Sequence, residues 1–164
     1  MHYTADPSAI PPAHREAARL LASPRARPAL PDVAPSEAAV IRVDPRAPLT
    51  VGVHLNGVPL TLIVDTGAER TVLSPAALER AGFGGLPGRP IHVVGVTGTA
   101  AARLVTVPLL DVAGARIGPL AVIAHALPPT GRADPVDGLL GRDVLDAFTL
   151  TVDTASGRAT LTLR

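Results

Sequence analysis

Chemistry in this chain starts at Asp65. It closes the apolar run Leu62-Ile63-Val64 and opens the turn-like Thr66-Gly67-Ala68. Burying a carboxylate at the end of an apolar strand is costly unless the group is hydrogen-bonded or protonated, so the position demands an explanation. Gly67 lets the chain turn sharply and offers amide N–H groups to the carboxylate or to a ligand. Thr66 adds a hydroxyl that can lock the loop. Most competing chemistry is missing. The 164 residues include 15 Arg but no Lys, and no Cys. That excludes thiolate nucleophiles, Cys-ligated metals, Schiff-base catalysis and a Walker-A lysine. The five His, at 2, 14, 54, 92 and 125, include no pair at helical metal-site spacing. Carboxylates, hydroxyls and backbone amides remain. Asp-Thr-Gly is also a common strand-to-turn sequence, so the tripeptide alone leaves a catalytic role and a simple turn both open.

The elements that must position Asp65 are short strands. Leu49, Val51, Val53 and Leu55 alternate with polar or small residues, and Asn56-Gly57 follows. Both central residues of a type I′ turn need positive φ, so this dipeptide predicts a hairpin returning through Val58 to Val64. Thr71 to Leu73 form a short β segment. Ser74-Pro75 starts a helix over Ala76 to Ala81, with Ser as N-cap and Pro at the first position, and Gly82 closes it. Ile91 to Val96 and Ala101 to Val107 flank Thr97-Gly98 as a second hairpin. Leu109 to Val112 and Arg116 to Ala126 add strand around Ala113-Gly114. Gly138 to Gly141 is a buried turn-like strand, and Asp143 to Phe148 a short helix. Thr149 to Asp153 and Ala159 to Leu163 make a terminal hairpin, in which Asp153 is a turn residue. Asp134 and Asp137 read as loop acids, and the three His of the β region as core-edge or surface residues. The expected fold is mostly β: a small, closed, barrel-like domain with one or two short helices.

The domain is expected over 39–164. Nine of the 18 prolines lie in residues 1–48, so 1–38 reads as a Pro/Ala/Arg-rich disordered tail or linker, broken only by a short helix over His14 to Ala22. The formal charge of +1 and the 2% aromatic content argue against nucleic acid. No apolar run is long enough to span a membrane, and no secretory h-region follows the N-terminus. Zero Cys fits a reducing compartment, and the expected location is cytoplasmic.

Val64-Asp65-Thr66-Gly67-Ala68-Glu69-Arg70-Thr71-Val72-Leu73-Ser74 resembles the active-site segment of retropepsin-like aspartic proteases. Gly138-Leu139-Leu140-Gly141-Arg142-Asp143-Val144-Leu145 resembles that family's second signature, in the family order. Gly95-Val96-Thr97-Gly98 falls where the family has its flap. The likeness covers roughly residues 49–164 and is nearest to the bacterial single-domain members. It implies the retropepsin fold, an aspartic endopeptidase acting on polypeptides, and a homodimer in which each subunit supplies one catalytic Asp65. Two such carboxylates share a proton; the ionised one takes a proton from water and the protonated one polarises the scissile carbonyl. No metal or cofactor is implied. Thr66 would hydrogen-bond across the dimer, and Gly67 and Ala68 would line the active-site loop. Glu69 and Arg142 would form the family's structural ion pair, with Glu where Asp is more usual. Gly95, Val96, Thr97 and Gly98 would close over an extended peptide, without a bulky apolar tip. The edge strand Thr160 to Leu163 would pair with its mate. The alternative is an inactive peptide-binding or dimerisation module of the same fold.

Overall fold

A computed structural model describes residues 38–95, 98–130 and 135–164. The tail and the helix expected at His14 to Ala22 lie outside these residues, except for Ala38. So do Val96, Thr97 and Asp134.

The first elements follow their local signals. Strands β2 (Thr50–Leu55) and β3 (Val58–Val64) form an antiparallel hairpin. Its turn residues Asn56 and Gly57 take φ of 51° and 77°, as a type I′ turn requires. After β4 (Val72–Leu73) comes α1 (Pro75–Arg80), where the Ser74 hydroxyl accepts from the Ala77 N–H. Gly82 ends it in the left-handed region at φ 84°. Its N–H donates to the Glu79 carbonyl while the Phe83 N–H donates to that of Leu78, the paired bonds of a Schellman ending.

Strands β5 (Arg89–Gly95) and β6 (Gly98–Val107) make the second expected hairpin, pairing Gly95 with Gly98. β7 (Leu110–Val112) and β8 (Ala115–Ile117) make a third, around Ala113-Gly114. The strand expected over Arg116 to Ala126 is interrupted: Gly118-Pro119 separates β8 from β9 (Leu120–Ala124). A Cβ at Gly118 would collide with the Pro108 carbonyl, so the chain passes too close to its neighbour to continue as one strand there. β10 (Gly138–Leu140), α2 (Arg142–Leu145), β11 (Phe148–Asp153) and β12 (Arg158–Leu163) complete the order. Phe148, expected in α2, opens β11 instead because its ring is 2% exposed in the core.

The strands form two sheets. The larger has the order β5-β6-β9-β4-β10-β3-β2-β7-β8. Its end strands β5 and β8 do not pair with each other, so among the described residues the ladder is open rather than the closed barrel expected. The smaller has the order β1-β12-β11 and begins with a strand the sequence patterning missed, β1 (Ala38–Arg42). β1 has only one fully buried residue, Ile41, which leaves little periodicity to detect. Its presence corrects a second expectation. Thr160 to Leu163 is not an edge: β12 is the middle strand, with β1 on one side and β11 on the other. β1 and β11 are the outer strands of this sheet among the described residues.

The core is aliphatic. Leu55, Leu62, Leu73, Leu110, Leu140 and Leu161 are fully buried, with Phe148 the one aromatic among the deepest side chains.

Candidate active site

β10 determines where Asp65 goes. It enters between β3 and β4, parallel to β3 and antiparallel to β4. The gap admits only glycine: a Cβ at Gly138 would overlap the Val72 carbonyl oxygen, and one at Gly141 the Arg70 carbonyl. Both glycines of the second signature are thus set by backbone contact. Packed this way, the Leu140 carbonyl accepts from the Asp65 N–H at 3.0 Å, extending the β3–β10 ladder to the carboxylate-bearing residue.

The Asp65 side chain is half-buried, and its Oδ1 accepts from the Gly67 N–H at 2.9 Å. The Ala68 N–H donates to the Asp65 carbonyl, closing the turn. The carboxylate is therefore aimed by its own loop. Thr66 is exposed, and its hydroxyl has no partner among the described residues.

The expected Glu69–Arg142 ion pair does not form. Both side chains are exposed, where an ion pair gains little over water. The segments are joined by backbone instead: the Arg142 N–H donates to the Ala68 carbonyl and the Asp143 N–H to that of Glu69. The side-chain tie belongs to Asp143 and Thr71, which the sequence reading missed. The Asp143 carboxylate accepts from the Thr71 N–H (2.9 Å to Oδ1) and from its hydroxyl (2.8 Å). The Thr71 hydroxyl in turn accepts from the Gly141 N–H at 3.2 Å. Thr71 is fully buried. A threonine leading an apolar strand, and an acid in the first turn of a helix that follows a glycine, were the available signals. Asp143→Ala would orphan two buried donors, at roughly 1–3 kcal/mol each. We expect a loss of about 3 kcal/mol, read as a midpoint shift in urea unfolding, with Asp143→Asn recovering part of it.

Asp137 lies in the loop before β10, as expected. It is nevertheless only 9% exposed. Its carboxylate accepts from the Thr61 N–H at 2.9 Å and from Arg80 at 2.7 Å, joining β3 to α1 below the site. Asp153 is the turn residue expected. Its carboxylate accepts from Ser156 and Ala155, and the Ser156 hydroxyl, then its N–H, hold the group below the ordinary carboxylate range.

A groove of about 760 Å³ opens over Asp65. Gly67, Ala68, Glu69 and Arg70 form its floor near the carboxylate. Val72, Leu139 and Ile123 form an apolar row beyond. The β5–β6 hairpin contributes Val93, Val94, Gly95, Gly98 and Ala100. Gly98 takes φ 120°, open to glycine alone. Val94 is 83% exposed, so an apolar side chain does stand beside the hairpin turn. His125, expected only as a core-edge or surface residue, also lines the groove; nothing local in the sequence marked it.

Residues 51–144 match the family model described as aspartyl protease. The chain belongs to the aspartyl protease family. The matched residues include Asp65, β10 and both glycines of the second signature. Among solved structures, this aspartyl protease chain is similar to a retropepsin-like aspartic protease from Rickettsia conorii. The two share 19% identity at a TM-score of 0.56, over 77% of this chain and 90% of the other. That likeness gives the family member a retropepsin-like fold. No curated protein matches the chain. Among the described residues, no helix is long and apolar enough to cross a membrane.

Proposed function

We propose that the protein is an aspartic endopeptidase that acts as a homodimer, with Asp65 from each copy forming the catalytic pair. The observation that carries this reading is Asp65 itself, held by the Gly67 N–H at the floor of a groove roofed by a glycine-bearing hairpin. In the proposed mechanism an extended peptide lies in the groove, its backbone pairing with the hairpin. Two carboxylates about 3 Å apart hold one proton between them. The ionised Asp65 accepts a proton from water as the water oxygen attacks the scissile carbonyl carbon. The protonated Asp65 donates to the carbonyl oxygen. A proton passed to the amide nitrogen then lets the C–N bond break, giving a free acid and a free amine. The unpartnered Thr66 hydroxyl is available to brace the two loops against each other.

Support for the dimer comes from the smaller sheet. Alternation puts Ile41, Ala159, Leu161, Val152 and Leu163 on one face. The first three are buried, yet Val152 and Leu163 are 48% and 50% exposed. Two exposed apolar side chains on the same face as buried ones suit a second copy. Residues 1–37 are proposed to precede this domain as a tail; Ala38, expected to belong to it, is the first residue of β1.

The test combines peptide-library cleavage between about pH 3 and 7 with sedimentation. We expect a dimer that cleaves. Leu163→Asp should lower dimerisation and cleavage together by about tenfold or more, the cost of burying an unpaired charge. A wild-type protein that cleaves as a monomer would overturn the paired-carboxylate mechanism.

A further inference from the structure

His125 has no role in the proposed mechanism, yet it faces the same groove. Ile123 ends the groove-facing pattern of β9, and His125 and Leu127 continue it at alternate positions. Ala124, between Ile123 and His125, is buried on the other side. The backbone at His125 is still fixed, because its N–H donates to the Leu73 carbonyl at 3.1 Å. Its imidazole is half-buried and has no hydrogen bond or ion pair among the described residues.

The strand register separates this ring from the chemistry. Leu139 pairs with both Ile63 and Val72, and Val72 pairs with Ile123, giving one row across four strands. Asp65 lies two residues past Ile63 on β3. His125 lies two residues past Ile123 on β9, which runs the opposite way. They are therefore about four strand residues apart, roughly 13 Å along the strand direction, with three ladder spacings between them. His125 is out of reach of the reacting atoms. The other charged groove residues, Glu69 and Arg70, lie on the Asp65 side. At the far end the imidazole is set among apolar Ile123 and Leu127, while both carboxylates of the lining, Asp65 and Glu69, lie at the other end. A polar ring so placed is best satisfied by a group brought in with the ligand, and a charge-assisted bond is the strongest it can make.

We propose that His125 is a specificity-determining residue that receives an acidic side chain, Asp or Glu, of the bound peptide at a subsite remote from the scissile bond. This rests on the groove being a peptide site, as proposed above. The test uses a positional-scanning octapeptide library read two ways. The first is cleavage by wild type, His125→Leu and His125→Glu. The second is capture of the same library by Asp65→Asn protein, with and without His125→Leu, which needs no turnover. We expect acidic residues to be favoured about tenfold over their amides at one position away from the cut. The preference should vanish in His125→Leu and turn toward Lys and Arg in His125→Glu. Cleavage or capture with no acidic preference, or a preference that survives in His125→Leu, would overturn the proposal. Capture with the acidic preference but no cleavage by wild type would uphold it while overturning the endopeptidase reading.

Discussion

Asp65→Asn is expected to remove turnover while leaving the fold and peptide binding in place. The substituted amide keeps an oxygen that can accept from the Gly67 N–H, and the half-buried position leaves no cavity. What is lost is the group that can take a proton from water. Acid–base groups contribute roughly 10²–10⁴-fold each, and one codon change alters both members of a symmetric pair. A fall in kcat/KM of about 10⁴-fold or more is therefore expected, with unfolding midpoints unchanged. Mixing adds a second measurement. If wild-type and Asp65→Asn chains exchange freely at equal amounts, only about one quarter of random dimers carry two aspartates. Activity should then fall to about a quarter of that of undiluted wild type, rather than to half. A value of one half would mean that each chain works alone. Wild-type protein that binds peptides without cutting them would favour the inactive binding module instead.

Gly138→Ala should be the most damaging single methyl in the domain. The added Cβ would occupy the space of the Val72 carbonyl oxygen and also press on Leu62 at 3.0 Å. No rotamer change relieves a clash between a Cβ and a backbone oxygen. β10 would have to leave the gap between β3 and β4, breaking ladders on both sides. Overpacking typically costs roughly 1–3 kcal/mol, and a clash with backbone belongs at or above the top of that range. We expect a loss of at least about 3 kcal/mol and no activity, because the Leu140 carbonyl that holds the Asp65 N–H moves with the strand. Gly85→Ala is the control. Nothing lies within 4 Å of its Cβ, so unfolding should be unchanged or slightly stabilised. Equal stability of Gly138→Ala and wild type in urea unfolding would contradict the packing described here.

The parts of the site that were legible in the sequence are those governed by short-range rules. Asn56-Gly57 encodes its turn because only certain residues accept positive φ, and Ser74-Pro75 encodes a helix start because it caps orphan amides. Asp65 stands out because a charge ends an apolar strand. Asp143 and Thr71 were not legible, because their bond joins residues 72 apart and neither is unusual locally. The expected Glu69–Arg142 pair failed for the converse reason: two charges at matching motif positions need not meet when both are in water.

The linear order of residues by itself determined a mostly β, aliphatic-cored chain with one suitably framed acid and glycines at its tight crossings, since these follow from side-chain volume, φ and alternation. Only the tertiary structure decided which strands are neighbours. Insertion of β10 between β3 and β4 turned two ordinary glycines into obligatory ones, pairing in the smaller sheet placed β12 between β1 and β11, and pairing of β9 with β4 brought His125 into the groove of Asp65. These depend on contacts between residues far apart in the chain, whose entropy of closure is met by the whole core rather than by any local motif.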